Sequence, residues 1–365
     1  MTEIRCPTSG RALHLRRAWP RQPGHLLLEY ADGGASVAGQ WFADRGRLRT
    51  VAEQTAAVAP DGVSCDAEAG VMLQRRGVDR RLPALAGIVA DEEAALVVHR
   101  PERRAVVRRT RPGATTYLKV VRPGRALPAT LELPGLRVPA VLASEPARGT
   151  VEYAELAGRT LHDLLGDAGL TADVDITLSR AFHGAGRAVR ALHSAPPPPG
   201  LGDHGPDDEI AVTTRWVDHA LAHGVLDGSD RAEAVDAVAV LVREVGALVP
   251  PFTPALVHRD LHDKQILVAE EDDAGLLDLD TLAVGDQALD VANLLVHLEL
   301  RALQGHCPAD VAGAAGDAFL TGYGPDRALQ ERLGAYAATT RLRLACVYAF
   351  RPRWHHLAAE LLRAV

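Results

Sequence analysis

The stretch Leu256-Val257-His258-Arg259-Asp260-Leu261-His262-Asp263-Lys264-Gln265-Ile266-Leu267-Val268 constrains the fold more than any other part of the chain. Apolar triplets on both sides of a polar centre predict two short strands with a loop held between them. After a short polar turn, Gly275-Leu276-Leu277-Asp278-Leu279-Asp280 again ends an apolar run on acidic residues. This layout is expected to bring Asp260, Gln265 and Asp278 to one rim. A carboxylate that orients a hydroxyl, with oxygen ligands for magnesium on nucleotide phosphates, makes up the parts that phosphoryl transfer requires.

Around that stretch the periodicities predict a mixed chain. Leu26 to Tyr30 and Ser36 to Phe42 read as two strands joined by the turn signal Asp32-Gly33-Gly34. They belong to a unit over residues 1–90 that closes with a short helix after Arg76 to Leu85 and carries no recognisable chemistry. From Ala94 the β-branched runs Ala94 to His99, Arg103 to Arg109, Thr115 to Val121, Val138 to Ala143 and Thr150 to Leu156 predict a small sheet. Beyond Gly158 the pattern turns helical. Ser179 to His193 has helical composition, and Ser229 or Asp230 is expected to cap a helix that runs through Leu248. Val238, Leu241, Val242, Val245 and Leu248 would form its apolar face. Val291, Leu294, Leu295, Leu298 and Ala302 mark another buried face, and two or three more helices should follow to Val365. The expected division is therefore 1–90, 91–157 and 158–365, which suits the 365-residue length.

Composition narrows the partners. A formal charge of -7 argues against a nucleic-acid partner, whose phosphates demand a basic face. Cys6, Cys65, Cys307 and Cys346 form no CxxC pair, so neither a zinc site nor a disulfide framework is expected. No apolar run has the length of a membrane span, and a soluble cytoplasmic protein is expected. Near the C-terminus, Arg341-Leu342-Arg343-Leu344 and Arg351-Pro352-Arg353-Trp354 read as a helix with snorkelling arginines, and His355-His356 as a surface pair.

Taken in order, these segments resemble the aminoglycoside phosphotransferase family within the protein-kinase-like fold. His258-Arg259-Asp260 and Leu277-Asp278-Leu279-Asp280 match its H-x-D and hydrophobic-D-x-D/E blocks, and Gly285-Asp286 with Asp290-Val291-Ala292 matches the segment that follows. Tyr117-Leu118-Lys119-Val120-Val121 is similar to the strand with the phosphate-binding lysine, and Glu155-Leu156-Ala157-Gly158 to the hinge that holds adenine. Ala191-Leu192-His193 resembles the end of the first large helix, and the likeness spans about Leu96 to Leu303.

The resemblance implies an α+β, two-lobed fold: a small β-sheet lobe, a larger helical lobe, and an extra N-terminal α/β unit. It implies Asp260 as catalytic base, Asp278 and Gln265 as magnesium ligands, and ATP as co-substrate. Glu155 and Ala157 would bind adenine through their backbone, and Asp290 would buttress the catalytic loop. Asp280 would be a second metal ligand or a loop cap; His262 would contact phosphate or pack the loop. Glu132 is the nearest helix carboxylate for Lys119. Gln265 stands where most of the family has Asn, and bacterial maltose kinases and related sugar kinases share that Gln.

The expected activity is transfer of a γ-phosphoryl group to a hydroxyl of an aminoglycoside or amino sugar. A sugar kinase of maltokinase or glucosamine kinase type is the alternative within enzymes, and a catalytically silent nucleotide-binding regulator the alternative outside them. The segment after Asp280 is too short for a phosphorylated activation loop, which disfavours a protein kinase.

Overall fold

The computed structural model describes residues 2–6, 10–33, 35–125, 133, 135–168, 172–248, 252–269 and 272–365. The chain begins with strands β1 (Glu3–Arg5), β2 (Ala12–Gln22), β3 (His25–Asp32) and β4 (Ala35–Phe42). Helix α1 (Arg45–Ala56), capped by Asp44, then leads to β5 (Val63–Asp66) and β6 (Val71–Gln74). All pairings are antiparallel, in the order β1-β2-β3-β4-β6-β5. The expected hairpin is therefore present, with Gly33 at φ 52; Gly34 lies outside the described residues. Leu48 and Val51 of α1 pack on Phe42 and Met72, which closes one face of this sheet.

A polar relay runs through the interior of that sheet. The His25 Nε2–H donates to Gln40 Oε1 at 2.9 Å, Gln40 donates to Gln74 at 2.8 Å, and Gln74 donates to the Val78 carbonyl at 2.9 Å. His25 Nδ1 is left buried without a partner, so a second proton would enter a dry site. Burial accordingly lowers the His25 pKa from 6.5 to about 4. Between those two values the unfolded chain binds the proton and the folded chain does not, so stability is expected to fall as pH drops through that window. Urea midpoints compared at about pH 7 and about pH 5 should diverge for the native chain and less so for His25→Gln. Equal pH sensitivity in both would contradict the assignment.

Helix α2 (Ala84–Val89) leads into a second sheet of β7 (Ala94–Arg100), β8 (Arg104–Arg111), β9 (Ala114–Val121), β10 (Val141–Glu145) and β11 (Thr150–Ala154). Its order is β10-β11-β9-β8-β7, and the boundaries fall within three residues of those expected. Strand alternation divides its side chains. Ala105, Val107, Leu118 and Val120 meet Leu82, Leu85 and Ile88 beneath α2. Arg104, Val106, Tyr117 and Lys119 therefore face the other way, toward the rest of the chain.

The remainder is helical, with short strands let into it. β12 (Arg159–Thr160), α3 (Leu161–Gly166), α4 (Ala172–Ser194) and β13 (Asp203–His204) come first, then α5 (Pro206–Ala222) and α6 (Gly228–Gly246). β14 (Ala255–Val257), β15 (Ile266–Val268), β16 (Ala274–Leu276) and β17 (Ala283–Gly285) follow, and α7 (Gln287–Leu303), α8 (Ala309–Tyr323), α9 (Arg327–Ala349) and α10 (Leu357–Arg363) end the chain. The cap of α6 is Asp227, two residues before the expected Ser229, and Val242 is 47% exposed instead of facing the core. Helix α7 is buried nearly all round because α8 and α9 both pack on it. Gly186 and Gly322 let α4 and α8 touch closely: a Cβ at Gly322 would stand 2.0 Å from the His183 carbonyl oxygen. All four cysteines are free, as expected. No described helix is long and apolar enough to cross a membrane.

The first sheet touches both neighbours. β3 and β4 pack against β7, while β2 runs beside the Pro352–Trp354 turn after α9. There the Ala18 amide donates to the Phe350 carbonyl at 2.9 Å, and His223 Nε2 bonds the Gln22 carbonyl at 3.2 Å.

Candidate active site

A cavity of about 510 Å³ separates the second sheet from the helical part. Lys119, Glu155, Gln265, Asp278 and Asp280, all singled out in the sequence, line it together. Lys119 reaches it because strand alternation turns its side chain away from α2. Its Nζ bonds Asp278 Oδ1 at 3.1 Å and also bonds Asp280. Arg104, on the neighbouring strand and the same face, bonds Asp278 Oδ2 at 3.2 Å. Burial works against a charged Asp278, but Lys119 and Arg104 outweigh it and hold the carboxyl below its usual range. Asp278 itself adopts φ 51, a left-handed conformation uncommon outside glycine.

At the other end of the cavity lies the segment after β11. The Glu155 amide donates to the Thr115 carbonyl at 3.2 Å, and the Ala157 carbonyl accepts from Arg137 at 2.8 Å. Among the described residues, no hydrogen bond engages the Glu155 carbonyl or the Ala157 amide, one acceptor and one donor. Gly158, at φ 131, lets the chain pass so close to β15 that a Cβ would lie 2.7 Å from the Val268 carbonyl oxygen.

The loop between β14 and β15 is held from below. These strands flank it as expected but do not pair with each other: β14 pairs with β17, and β15 with β12 and β16. Asp290, in the first turn of α7, accepts the His258 amide at 2.6 Å and the Arg259 amide at 2.7 Å, and pairs with His193 at 3.0 Å. The buttress expected at this position is present. His258 Nε2–H donates to the Leu277 carbonyl at 2.8 Å, so Nδ1 is free to accept the Asp260 amide at 3.3 Å. That ring ties the loop to the Asp278 segment.

Asp263 is fully buried and receives two bonds of 2.8 Å from Arg301 and one of 2.7 Å from His162. Burial opposes its charge, yet these partners push its pKa far below the ordinary carboxylate range. Asn293 donates to the Leu261 carbonyl at 2.7 Å, a third anchor. With its backbone fixed in this way, Asp260 sits half-buried on the loop outside the cavity lining.

Several sequence expectations change. His262 turns inward: its ring tilts against His297 at 4.8 Å, its Nδ1 accepts the Lys264 amide at 3.2 Å, and burial lowers its pKa. It does not line the cavity, an arrangement in keeping with the loop-packing alternative, and its Nε2 stands 3.5 Å from Gln265 Nε2. Glu132 lies outside the described residues, and the carboxylates that meet Lys119 are Asp278 and Asp280. Ala157 is exposed and is not among the residues that line the cavity. Sequence reasoning missed Arg104, Asp263 and Arg301. Arg104 could have been found from the parity it shares with Val106 opposite Lys119. Nothing local marks Arg301 as the partner of Asp263.

The donor set suits magnesium. Asp278, Asp280 and Gln265 offer oxygen only, and magnesium favours one or two carboxylates completed by water and phosphate oxygens. Among the described residues no cluster of three or more His, Cys, Asp or Glu could hold a metal.

On the sequence expectation of ATP as co-substrate, replacing Lys119 by Ala should raise KM for ATP and lower kcat. It removes a point charge from the cavity and leaves Asp278 and Asp280 facing each other with one cation fewer. Unchanged ATP kinetics would mean that the ammonium only neutralises the two acids.

A family model described as the phosphotransferase enzyme family matches residues 85–336, well over half of the chain. No curated protein matches the sequence. Among solved structures, a thermostable mutant of aminoglycoside phosphotransferase APH(4)-Ia in its apo form is similar at a TM-score of 0.53 and 16% identity, covering 75% of this chain and 92% of that one. A choline kinase from Cryptosporidium parvum Iowa II follows at 0.50 and 10% identity, covering 78% and 92%. Aminoglycoside phosphotransferase APH(3'')-Id from Streptomyces rimosus reaches 0.49 and 18% identity, covering 69% and 93%. At such identities the likeness is one of fold: an α+β, protein-kinase-like architecture with a small antiparallel sheet and a larger helical lobe.

Proposed function

The chain belongs to the phosphotransferase enzyme family, and from that premise we propose that it moves the γ-phosphoryl group of ATP to a hydroxyl of a small molecule. The observation that carries this reading is the meeting of Lys119, Asp278, Asp280 and Gln265 in one cavity that Glu155, Leu156 and Gly158 also line. In the reaction, the bond from the γ-phosphorus to the β–γ bridging oxygen breaks and a bond to the acceptor oxygen forms. The hydroxyl proton passes to Asp260, and ADP leaves. Lys119 and Arg104 hold the phosphates by charge, and the clamped loop keeps Asp260 oriented. Asp278, Asp280 and Gln265 would hold magnesium, which when bound neutralises charge on the phosphates.

Residues 1–90 act in this reading as a cap on a small lobe of 91–157 and a large lobe of 158–365. An aminoglycoside or amino sugar acceptor rests on kinship alone, and Gln265 favours a sugar kinase as the second reading. A silent regulator has no physical need for both Asp260 and Asp278. Calorimetric titration with magnesium-ATP, run beside an ATP-consumption screen over sugars, amino sugars and aminoglycosides, tests the proposal. Magnesium-dependent binding with acceptor-dependent ADP release is expected; absence of nucleotide binding would overturn it.

A further inference from the structure

Two polar side chains at the start of α3 line the cavity and have as yet no task there: Thr160, which caps the helix, and Asp163. The Thr160 hydroxyl accepts the Asp163 amide at 3.0 Å and donates to Asp163 Oδ2 at 2.7 Å. Capping the helix needs only the first of these bonds. The second fixes the carboxylate, and among the described residues no hydrogen bond engages Asp163 Oδ1. A held acceptor therefore stands exposed on the cavity wall.

The sheet register places this pair along the cavity. Thr160 lies opposite Leu267 in the β12–β15 pairing. Gln265 is two residues further along the same face, about 7 Å away. The ladder continues through it, since the Leu277 amide donates to the Gln265 carbonyl at 2.8 Å. In the other direction Gly158, which closes the segment after β11, is two residues before Thr160. The pair thus sits between that segment and the group of Gln265, Asp278 and Lys119. In ATP the ribose stands between base and phosphates, so a nucleotide that spans the two ends sets its 2′- and 3′-hydroxyls beside Asp163.

The same turn is tied to the catalytic loop by its middle residue. The His162 amide donates to the Asp263 carbonyl at 3.2 Å, and His162 Nδ1–H donates to the Asp263 carboxylate at 2.7 Å. The His162 ring stacks at 3.9 Å on His306, whose Nε2–H donates to the His162 carbonyl at 2.8 Å. Asp263 stands three residues after Asp260 and two before Gln265. It is fully buried on Arg301, and a close-packed interior leaves little slack to absorb a shift of α3.

We propose that Asp163 accepts the ribose hydroxyls of the nucleotide and that His162 passes this contact to Asp263, so that a ribonucleotide steadies the Asp260 loop more than a deoxynucleotide does. This deepens the phosphotransferase reading and rests on it. A carboxylate offers acceptors only, and a diol two donors. Contacts remote from the reacting bond can supply orientation at it, and His162 is in this sense a positioning residue.

Calorimetry of the full chain with the magnesium complexes of ATP, 2′-deoxy-ATP and 3′-deoxy-ATP tests the first step. The native chain should bind at least one deoxynucleotide roughly tenfold more weakly than ATP. Asp163→Ala should bind all three alike at the weaker level, and Asp163→Asn, which keeps one acceptor oxygen, should fall between. Amide hydrogen exchange tests the second step and needs no acceptor. With each nucleotide at saturation, residues 258–265 should exchange more slowly under ATP than under the deoxynucleotide that lost affinity. In His162→Phe, which keeps a ring against His306 and loses the donor to Asp263, that difference should vanish while the affinity gap remains. His162→Asn, with an amide N–H near the place of Nδ1, should restore it. A residue that served the fold alone would alter exchange equally under every nucleotide.

Equal affinity for ATP and both deoxynucleotides overturns the inference and leaves the phosphotransferase reading standing. So does a preference for ATP that survives Asp163→Ala, or loop exchange in the native chain that is the same under every nucleotide. Failure of magnesium-ATP itself to bind marks the other failure, that of the phosphotransferase reading.

Discussion

Replacement of Asp260 by Asn or Ala is expected to abolish phosphoryl transfer while magnesium-ATP affinity stays near that of the native chain. The separation follows from where the carboxylate sits. Asp260 lies on the anchored loop outside the cavity lining, whereas Lys119, Asp278 and Asp280 line the cavity. Its amide is bonded to His258 and its side chain is half-buried, so the substitution removes a proton acceptor and leaves the loop backbone in place. Loss of a general base costs about 10²–10⁴-fold in rate. Single-turnover measurement of ADP formation, with calorimetry on the same protein, distinguishes this from damage to the fold. A variant that keeps turnover within a few-fold would assign the proton to solvent.

The second large effect is expected at Asp290. This fully buried carboxylate gathers the amides of His258 and Arg259 and the ring of His193. Asp290→Ala strands three donors in a dry interior, and breaking a buried pair in this manner costs about 3–5 kcal/mol. Denaturant midpoints should fall accordingly, and activity should fall with them because the loop that carries Asp260 loses its floor. Asp290→Asn keeps the volume and one acceptor oxygen, so it should fold and still lose part of the rate. Burial raises the cost of charge here, but His193 and His258 hold the Asp290 pKa below its ordinary value. Its stabilisation is therefore present above the unfolded carboxylate value and is lost as pH falls through the folded one. A native-like midpoint for Asp290→Ala would show that the clamp is dispensable.

The site was legible where chemistry is local. His258 to Gln265 and Gly275 to Asp280 place acids between apolar triplets, and those triplets form strands in the structure. Lys119 was legible from the β-branched run that carries it. Pairings over long separations were not. Arg301 meets Asp263 across 38 positions, and Arg104 meets Asp278 across 174. The first contact exists only once α7 packs under the loop, and the second only once the second sheet meets the helical part.

The first sheet was half visible for a different reason. β2, Ala-Leu-His-Leu-Arg-Arg-Ala-Trp-Pro-Arg-Gln, has a broken alternation and an internal proline, and its register with β3 shifts at Leu15/Arg17 and again at Pro20/Gln22. Helix α1 is polar enough to pass for loop, since only Leu48, Val51 and Thr55 are buried.

The double attachment of that first sheet bears on how fast the enzyme could cycle. It meets the second sheet through the packing of β3 and β4 on β7, and the helical part through the Ala18–Phe350 and His223–Gln22 bonds. Two jaws joined only by a hinge can gape freely; two jaws also spanned by a stiff plate can gape only as far as the plate bends or lets go. In the proposed reaction, departure of spent ADP would then be geared to fraying at the Gln22 and Phe350 end, so that its rate would be set by residues far from any phosphate.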